Sequence, residues 1–190
     1  TNVDRDFVEF PSQFHEHWAF QPELLAEYAH HYKTGELIPD SLVRQVNAAS
    51  KHNMGFMTAE LAGAALLDLA WGHYDPAVDG PVDVDAFEAK VAEKIGMPAE
   101  LTFRYRSPYF KHIFGDEGYA SGYYTYLWAE QLDADGFELF KEKGAFDPES
   151  AAKVKKVLES GGSEDPMKLY EEFRGHRPDA SAVIRQRGLD

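Results

Sequence analysis

Along almost the whole chain, apolar residues recur at intervals of three and four, in runs separated by short stretches rich in glycine, proline and aspartate. Side chains so spaced share one face of an α-helix, and that face is buried by packing against other helices. The spacing therefore predicts an all-α protein with short connections.

Start and stop residues mark the segments. A first helix is expected over about Asp4–Ala19, and Pro22 suits the first position of a second reaching about Tyr32. Asp40 or Ser41 can cap a third, to about Ala49. Asn53–Tyr74 is the most apolar stretch and reads as a buried helix on Phe56, Leu61, Leu67 and Trp71; the turn-rich "DPAVDGPVD" follows. Another helix is expected from Val84 to Ile95. A short extended piece at Leu101–Tyr105 is expected within "GMPAELTFRYRSP". A long helix should then run from Tyr119 to Lys143. Asp147-Pro148 and Asp165-Pro166 start two more, and Asp179 caps a last one that stops at Gly188. No repeat or low-complexity tract interrupts this single α-helical region, residues 1–190.

One feature resists the pattern. In "DFVEFPSQ", Phe7, Phe10, Phe14 and Trp18 keep helical spacing across Pro11, which would remove a backbone hydrogen bond inside the first helix. On a continuous helix Asp6, Glu9, Gln13 and Glu16 would lie within about 80° of one another, opposite the aromatics. The acids then either face water or aim one carboxylate into a cleft to bind a cation. Periodicity leaves both open.

Composition narrows the partners. With 33 acidic and 19 basic side chains the formal charge is −14, which argues against nucleic acid or anionic membrane as a partner. No cysteine is present, so disulfides, thiolate zinc sites and thiol nucleophiles are excluded together. The densest apolar run, "LAGAALLDLAW", is broken by Asp68 and falls short of the roughly 18 residues of a membrane span. Thr1 is read as a cut point. The eight histidines include no pair four residues apart, so the chain by itself does not supply a two-histidine helical zinc site. His15, His17, His30 and His31 are read as surface or structural.

A second constellation lies in "YFKHIFGDEGYASGYYTYLWAEQ", residues 109–131. On a helix Tyr119, Tyr123, Tyr126 and Glu130 form one stripe, with Gly118 and Gly122 beside it and His112 before a glycine-containing loop. The phenols either fill a core edge or form a row of donors for an oxyanion or a peptide backbone.

"RDFVEFPSQFHEHWA", followed by "HIFGDEGYASGYYTYLW" and the tail "GGSEDPMKLYEEFRGHRPDASAVIRQRGL", closely resembles the C-terminal part of the M3 zinc peptidases. These include peptidyl-dipeptidases, oligopeptidase A and thimet oligopeptidase, and the wording "GYASGYYTYLW" is most similar to the first. The resemblance implies the multi-helix C-terminal portion of a zincin-type oligopeptidase catalytic domain, forming one side of a deep channel. It implies that Glu9 is the third zinc ligand, with Asp6 and Gln13 as supporting groups. The two histidine ligands and the water-activating glutamate would come from a His-Glu-x-x-His helix in a missing N-terminal part of the same polypeptide. By the same resemblance Tyr126 and Tyr119 are catalytic, His112 hydrogen-bonds substrate and Tyr123 lines the wall. Asp116-Glu117 makes the loop after His112 more acidic than the family pattern. The expectation is a Zn2+-dependent hydrolase of short peptides that releases C-terminal dipeptides. The chain alone is expected to hold no catalytic zinc and to be inactive. The rival is a non-catalytic helical interaction domain that keeps the peptidase surface. Arg104 and Arg106 are candidates for a substrate carboxylate. The cytoplasm is the default compartment, with the periplasm open if a leader lies upstream.

Overall fold

The computed structural model describes residues 2–190; Thr1, the expected cut point, lies outside them. The described residues form α1 (Phe10–Ala19), α2 (Pro22–Tyr28), α3 (Asp40–Ser50), α4 (Met54–His73), α5 (Pro76–Asp79) and α6 (Val84–Lys94). There follow α7 (Lys111–Phe114), α8 (Thr125–Lys143), α9 (Pro148–Ser160), α10 (Pro166–Arg174) and α11 (Ala180–Arg187), with 3-10 turns at Arg5–Phe7 and Ser107–Tyr109. Among the described residues there is no strand, only an isolated bridge between His30 and Leu37. The fold is all-α, as the spacing predicts.

Local chemistry explains most boundaries. The carboxylates of Asp147, Asp165 and Asp179 accept the Ser150, Lys168 and Ser181 amides at 2.8, 2.9 and 2.9 Å, closing helix N-termini that would otherwise expose unpaired N–H groups. Gly175 and Gly188 end α10 and α11 in the left-handed conformation. The third helix starts without a side-chain cap, behind Pro39. The second stops at Tyr28 rather than Tyr32. Past it the chain turns back, and the His31 amide donates to the Glu36 carbonyl at 2.7 Å instead of continuing a helix.

Two further expectations are corrected. The first helix does not run through Pro11 from Asp4. Residues Arg5–Phe7 form a 3-10 turn, Glu9 sits at the N-cap of α1, and Pro11 falls in the first turn, where its missing N–H costs no helical bond. The extended piece at Leu101–Tyr105 is irregular, because no strand is beside it to accept a ladder; it is held instead by burial of Phe103.

The chain divides into two compact units, one made of the residues up to Met54 together with Trp128–Asp190, the other of Gly55–Leu127. The first unit has an aromatic core. Phe14, fully buried, meets the rings of Phe10 and Trp18 at 5.1 Å and those of Phe140 and Phe173 at 5.9 Å, mostly edge to face. Gly136 lets α8 approach this cluster: a Cβ there would stand 3.0 Å from Phe173 and 3.3 Å from Phe14. The second unit packs α4 and α6 with the loop residues Phe103, Phe110 and Tyr123 around Ala64 and Leu67. Gly63 there faces the end of the Met97 side chain.

Candidate active site

In the second unit the tyrosine cluster forms, but not on a helix. The expected helix from Tyr119 begins only at Thr125, so Tyr119 and Tyr123 lie on the preceding turn and only Tyr126 is helical. The reason is competition for amides. Ser121 takes a left-handed φ of 57°, and the Ser121 and Tyr123 amides donate to the Asp68 carboxylate at 2.9 and 2.8 Å rather than to helical carbonyls.

The turn nevertheless gathers the residues that the sequence singles out. The His112 ring centroid lies 4.7 Å from that of Tyr119, 5.2 Å from Tyr123 and 5.7 Å from Tyr126. A hydrogen bond of 3.1 Å joins the Tyr126 hydroxyl and His112 Nε2. Exposure separates the three phenols. Tyr119 is 50% exposed and Tyr126 half-buried, whereas Tyr123 is 6% exposed and packs edge-on against Phe110 at 5.1 Å. Burial above all, with the nearby Tyr105 phenol, pushes the Tyr123 hydroxyl up to about 12. Glu130, expected on the same stripe, belongs to the other unit, where it pairs through both carboxylate oxygens with the Arg187 guanidinium.

The two candidate arginines are already engaged. Arg104 pairs with Glu60 at 3.2 Å and lies near the Tyr105 hydroxyl. Arg106 pairs with Asp85 and Glu88. Burial alone would raise the Glu88 carboxyl. The Ser107 amide and hydroxyl, with the Arg106 guanidinium, outweigh it and hold Glu88 below the ordinary carboxylate value.

In the first unit Glu9 is half-buried at the N-terminus of α1, and the Ser12 hydroxyl lies 3.0 Å from its Oε2. With Arg5–Phe7 outside the helix, Asp6 leaves the acidic stripe, and Glu9, Gln13 and Glu16 remain on α1. Among the described residues no group of three or more His, Asp or Glu side chains is placed to hold a metal ion. Glu9 is therefore not part of such a group among the described residues.

Two buried carboxylates escape sequence reasoning. His17 Nε2 lies 2.6 Å from Asp133 Oδ1, and its ring stacks on Phe137 at 4.5 Å. Burial raises the Asp133 carboxyl, and His17 draws it partly back. The two residues are 116 positions apart, so no local pattern signals the pair. Asp68 left a trace, as the one charge in an apolar run, but not its purpose.

The whole of this chain matches proteins of known name. Residues 1–189 match Peptidase family M3. The dipeptidyl carboxypeptidases of Escherichia coli and Salmonella typhimurium are 46% and 44% identical to it, each over 193 residues and 100% of the chain. Oligopeptidase A of Salmonella typhimurium is 35% identical over 191 residues, again across 100% of the chain. In each case the chain spans 28% of the relative's length. Its match is therefore complete on this side and partial on theirs. The chain belongs to peptidase family M3.

Proposed function

We propose that this chain is the substrate-binding wall and third metal ligand of a zinc-dependent peptidase that releases dipeptides from the C-terminal ends of short peptides. The observation that carries the reading is the Tyr126 hydroxyl bonded to His112 Nε2 beside the exposed Tyr119 ring. The names of the two most similar relatives above supply the substrate class. Glu9 is the one carboxylate this chain would offer to zinc, and the ion, once held with ligands from elsewhere, would supply a polarised water.

The tyrosine cluster then does three things. The hydrogen bond with His112 Nε2 orients and polarises the Tyr126 phenol, which acts on the oxyanion as its charge develops. Tyr119, on the exposed rim, donates to the peptide backbone and positions it. Tyr123 backs the wall from the core, its hydroxyl kept neutral by burial.

Tyr126→Phe in the intact enzyme tests this, with release of C-terminal dipeptides from short peptides as the assay. The phenol acts on developing charge, so kcat should fall by about 10²–10³, or roughly 3–4 kcal/mol, with KM little changed. A variant with full kcat would overturn the assignment.

A second reading, a helical interaction domain that keeps the peptidase surface, draws on α4. That helix is apolar all round yet exposes Phe56, Met57 and Leu66. An interaction module would tolerate Tyr126→Phe and lose its partner on Phe56→Ser.

A further inference from the structure

Asp68 is the least explained charge in the molecule. It sits within α4, the most apolar helix, and is 1% exposed. A carboxylate is costly to bury on a packed helix face, where alanine or leucine would serve packing better. Its two oxygens are used separately: Oδ1 accepts the Ser121 amide and Oδ2 the Tyr123 amide. The left-handed φ of Ser121 turns these two N–H groups toward one point, the concave arrangement by which backbone amides hold an anion. One helical turn further on, Gly72 faces the same segment, and a Cβ there would fall 1.9 Å from Ser121 Oγ and 3.3 Å from its Cβ. The carboxylate and the missing side chain together make a fitted seat for the turn.

What rests on that seat is the tyrosine cluster. The Gly122 amide donates to the Tyr119 carbonyl at 3.0 Å, and the Thr125 amide donates to the Gly122 carbonyl at 3.2 Å, leading into α8 and Tyr126. We propose that Asp68 and Gly72 are positioning residues for the reaction: they seat the Tyr119–Tyr123 turn on α4 and so set where Tyr119 and Tyr126 stand against His112. The proposal rests on the functional reading above. Neither residue touches the reacting atoms.

Asp68→Asn keeps the shape but turns an amide group toward one of the two N–H donors. In the intact enzyme, hydrogen exchange at Ser121 and Tyr123 should rise by about tenfold or more, while amides in the middle of α4 stay protected. The kcat should fall by about tenfold with KM nearly constant, because the transition state is what misplaced phenols fail to meet. Gly72→Ala should give the same kcat loss by displacing Ser121. Ser121→Gly, which keeps the amide and suits the left-handed φ, should be close to normal alone and should restore the rate when combined with Gly72→Ala. A merely structural role would lower stability and leave the kcat of the folded enzyme unchanged.

Tyr119→Phe and Tyr126→Phe measured in parallel keep the two readings apart. If they lose rate while Asp68→Asn and Gly72→Ala do not, the positioning proposal is overturned and the site stands. Unchanged exchange at Ser121 and Tyr123 in Asp68→Asn overturns it as well, as does a Gly72→Ala loss that Ser121→Gly leaves in place. If both tyrosine variants keep full rate, the functional reading fails and the catalytic role of the seat falls with it.

Discussion

The two units put what they bury to different uses. Around Phe14 the first unit buries rings, and its helices are closed by aspartates standing at their own N-termini. Its buried carboxylates, Asp133 and Asp135, bond side chains of other helices, those of His17 and Tyr170, whereas the second unit turns its buried carboxylates on irregular backbone. Asp68 takes two amides of the tyrosine turn, and Glu88 takes the Ser107 amide and the Arg106 guanidinium. Rings stabilise by area removed from water and by edge-to-face contact, neither of which orients a loop finely. A buried carboxylate stabilises little in net terms, because desolvation offsets most of what its hydrogen bonds contribute. It is directional, however, and fixes the backbone of irregular segments. The difference teaches where to look for function: irregular chain held by buried charge is where this protein keeps its tyrosines.

The largest stability effect should belong to the aromatic unit. Phe14→Ala in the intact protein should cost about 3–5 kcal/mol in urea unfolding, since the emptied space is ringed by stiff neighbours. A loss below about 1 kcal/mol would break the comparison by showing that the cluster collapses readily or bears little stability. Glu9→Gln comes next, at the edge of the same unit. It should leave the melting temperature nearly unchanged and lower zinc affinity by about tenfold or more, with activity partly recovered in excess zinc. Unaltered zinc affinity would move the ligand elsewhere, with Glu16 the next candidate on α1.

The smallest effect is a pH signature of opposite sign at two buried carboxyls, one in each unit. Glu88 has its carboxyl lowered below its ordinary 4.5 in the folded state, so its contribution is present above that pH. It is lost as pH falls through the folded value. Asp133 is the reverse. Its carboxyl is raised above the ordinary 3.8, so its contribution is full below that pH and is lost as pH rises through the folded value. Between pH 5 and 3, hydrogen exchange should therefore quicken around Ser107, and Glu88→Gln should flatten that response. Asp133→Asn should instead remove a loss of stability seen on raising the pH from about 4. Parallel pH responses traced to Glu88 and Asp133 would contradict the contrast.

Which parts could be read in advance follows the same division. The helices starting at Pro148, Pro166 and Ala180 are legible because cap, first-turn proline and closing glycine are neighbours in sequence and act on adjacent amides. The candidate residues Glu9, His112, Tyr119, Tyr123 and Tyr126 are legible as residue types in the motifs that carry the resemblance. Tyr119, Tyr123 and Tyr126 were expected on one helical stripe; a turn and the start of α8 gather them around His112 instead. The Pro11 anomaly was visible too, but not its resolution: whether a helix runs through a proline or starts just before it depends on what the preceding residues bond to.

By itself the sequence determined the all-α class, most helix starts and the identity of the chemical groups, because these depend on spacing and on contacts within a turn or two. Only the tertiary structure decided that α8 begins at Thr125 and that Tyr119 and Tyr123 approach His112 from a turn. It also decided that His17 is bound to Asp133 and Arg106 to Glu88. In each case a buried carboxylate distant in sequence competes for an amide or a cation that local rules would assign elsewhere; for the tyrosine turn that carboxylate is 53 and 55 residues away. An anion in a low-dielectric interior outbids a neighbouring carbonyl for an N–H, and no periodicity within the turn records where that anion will come from.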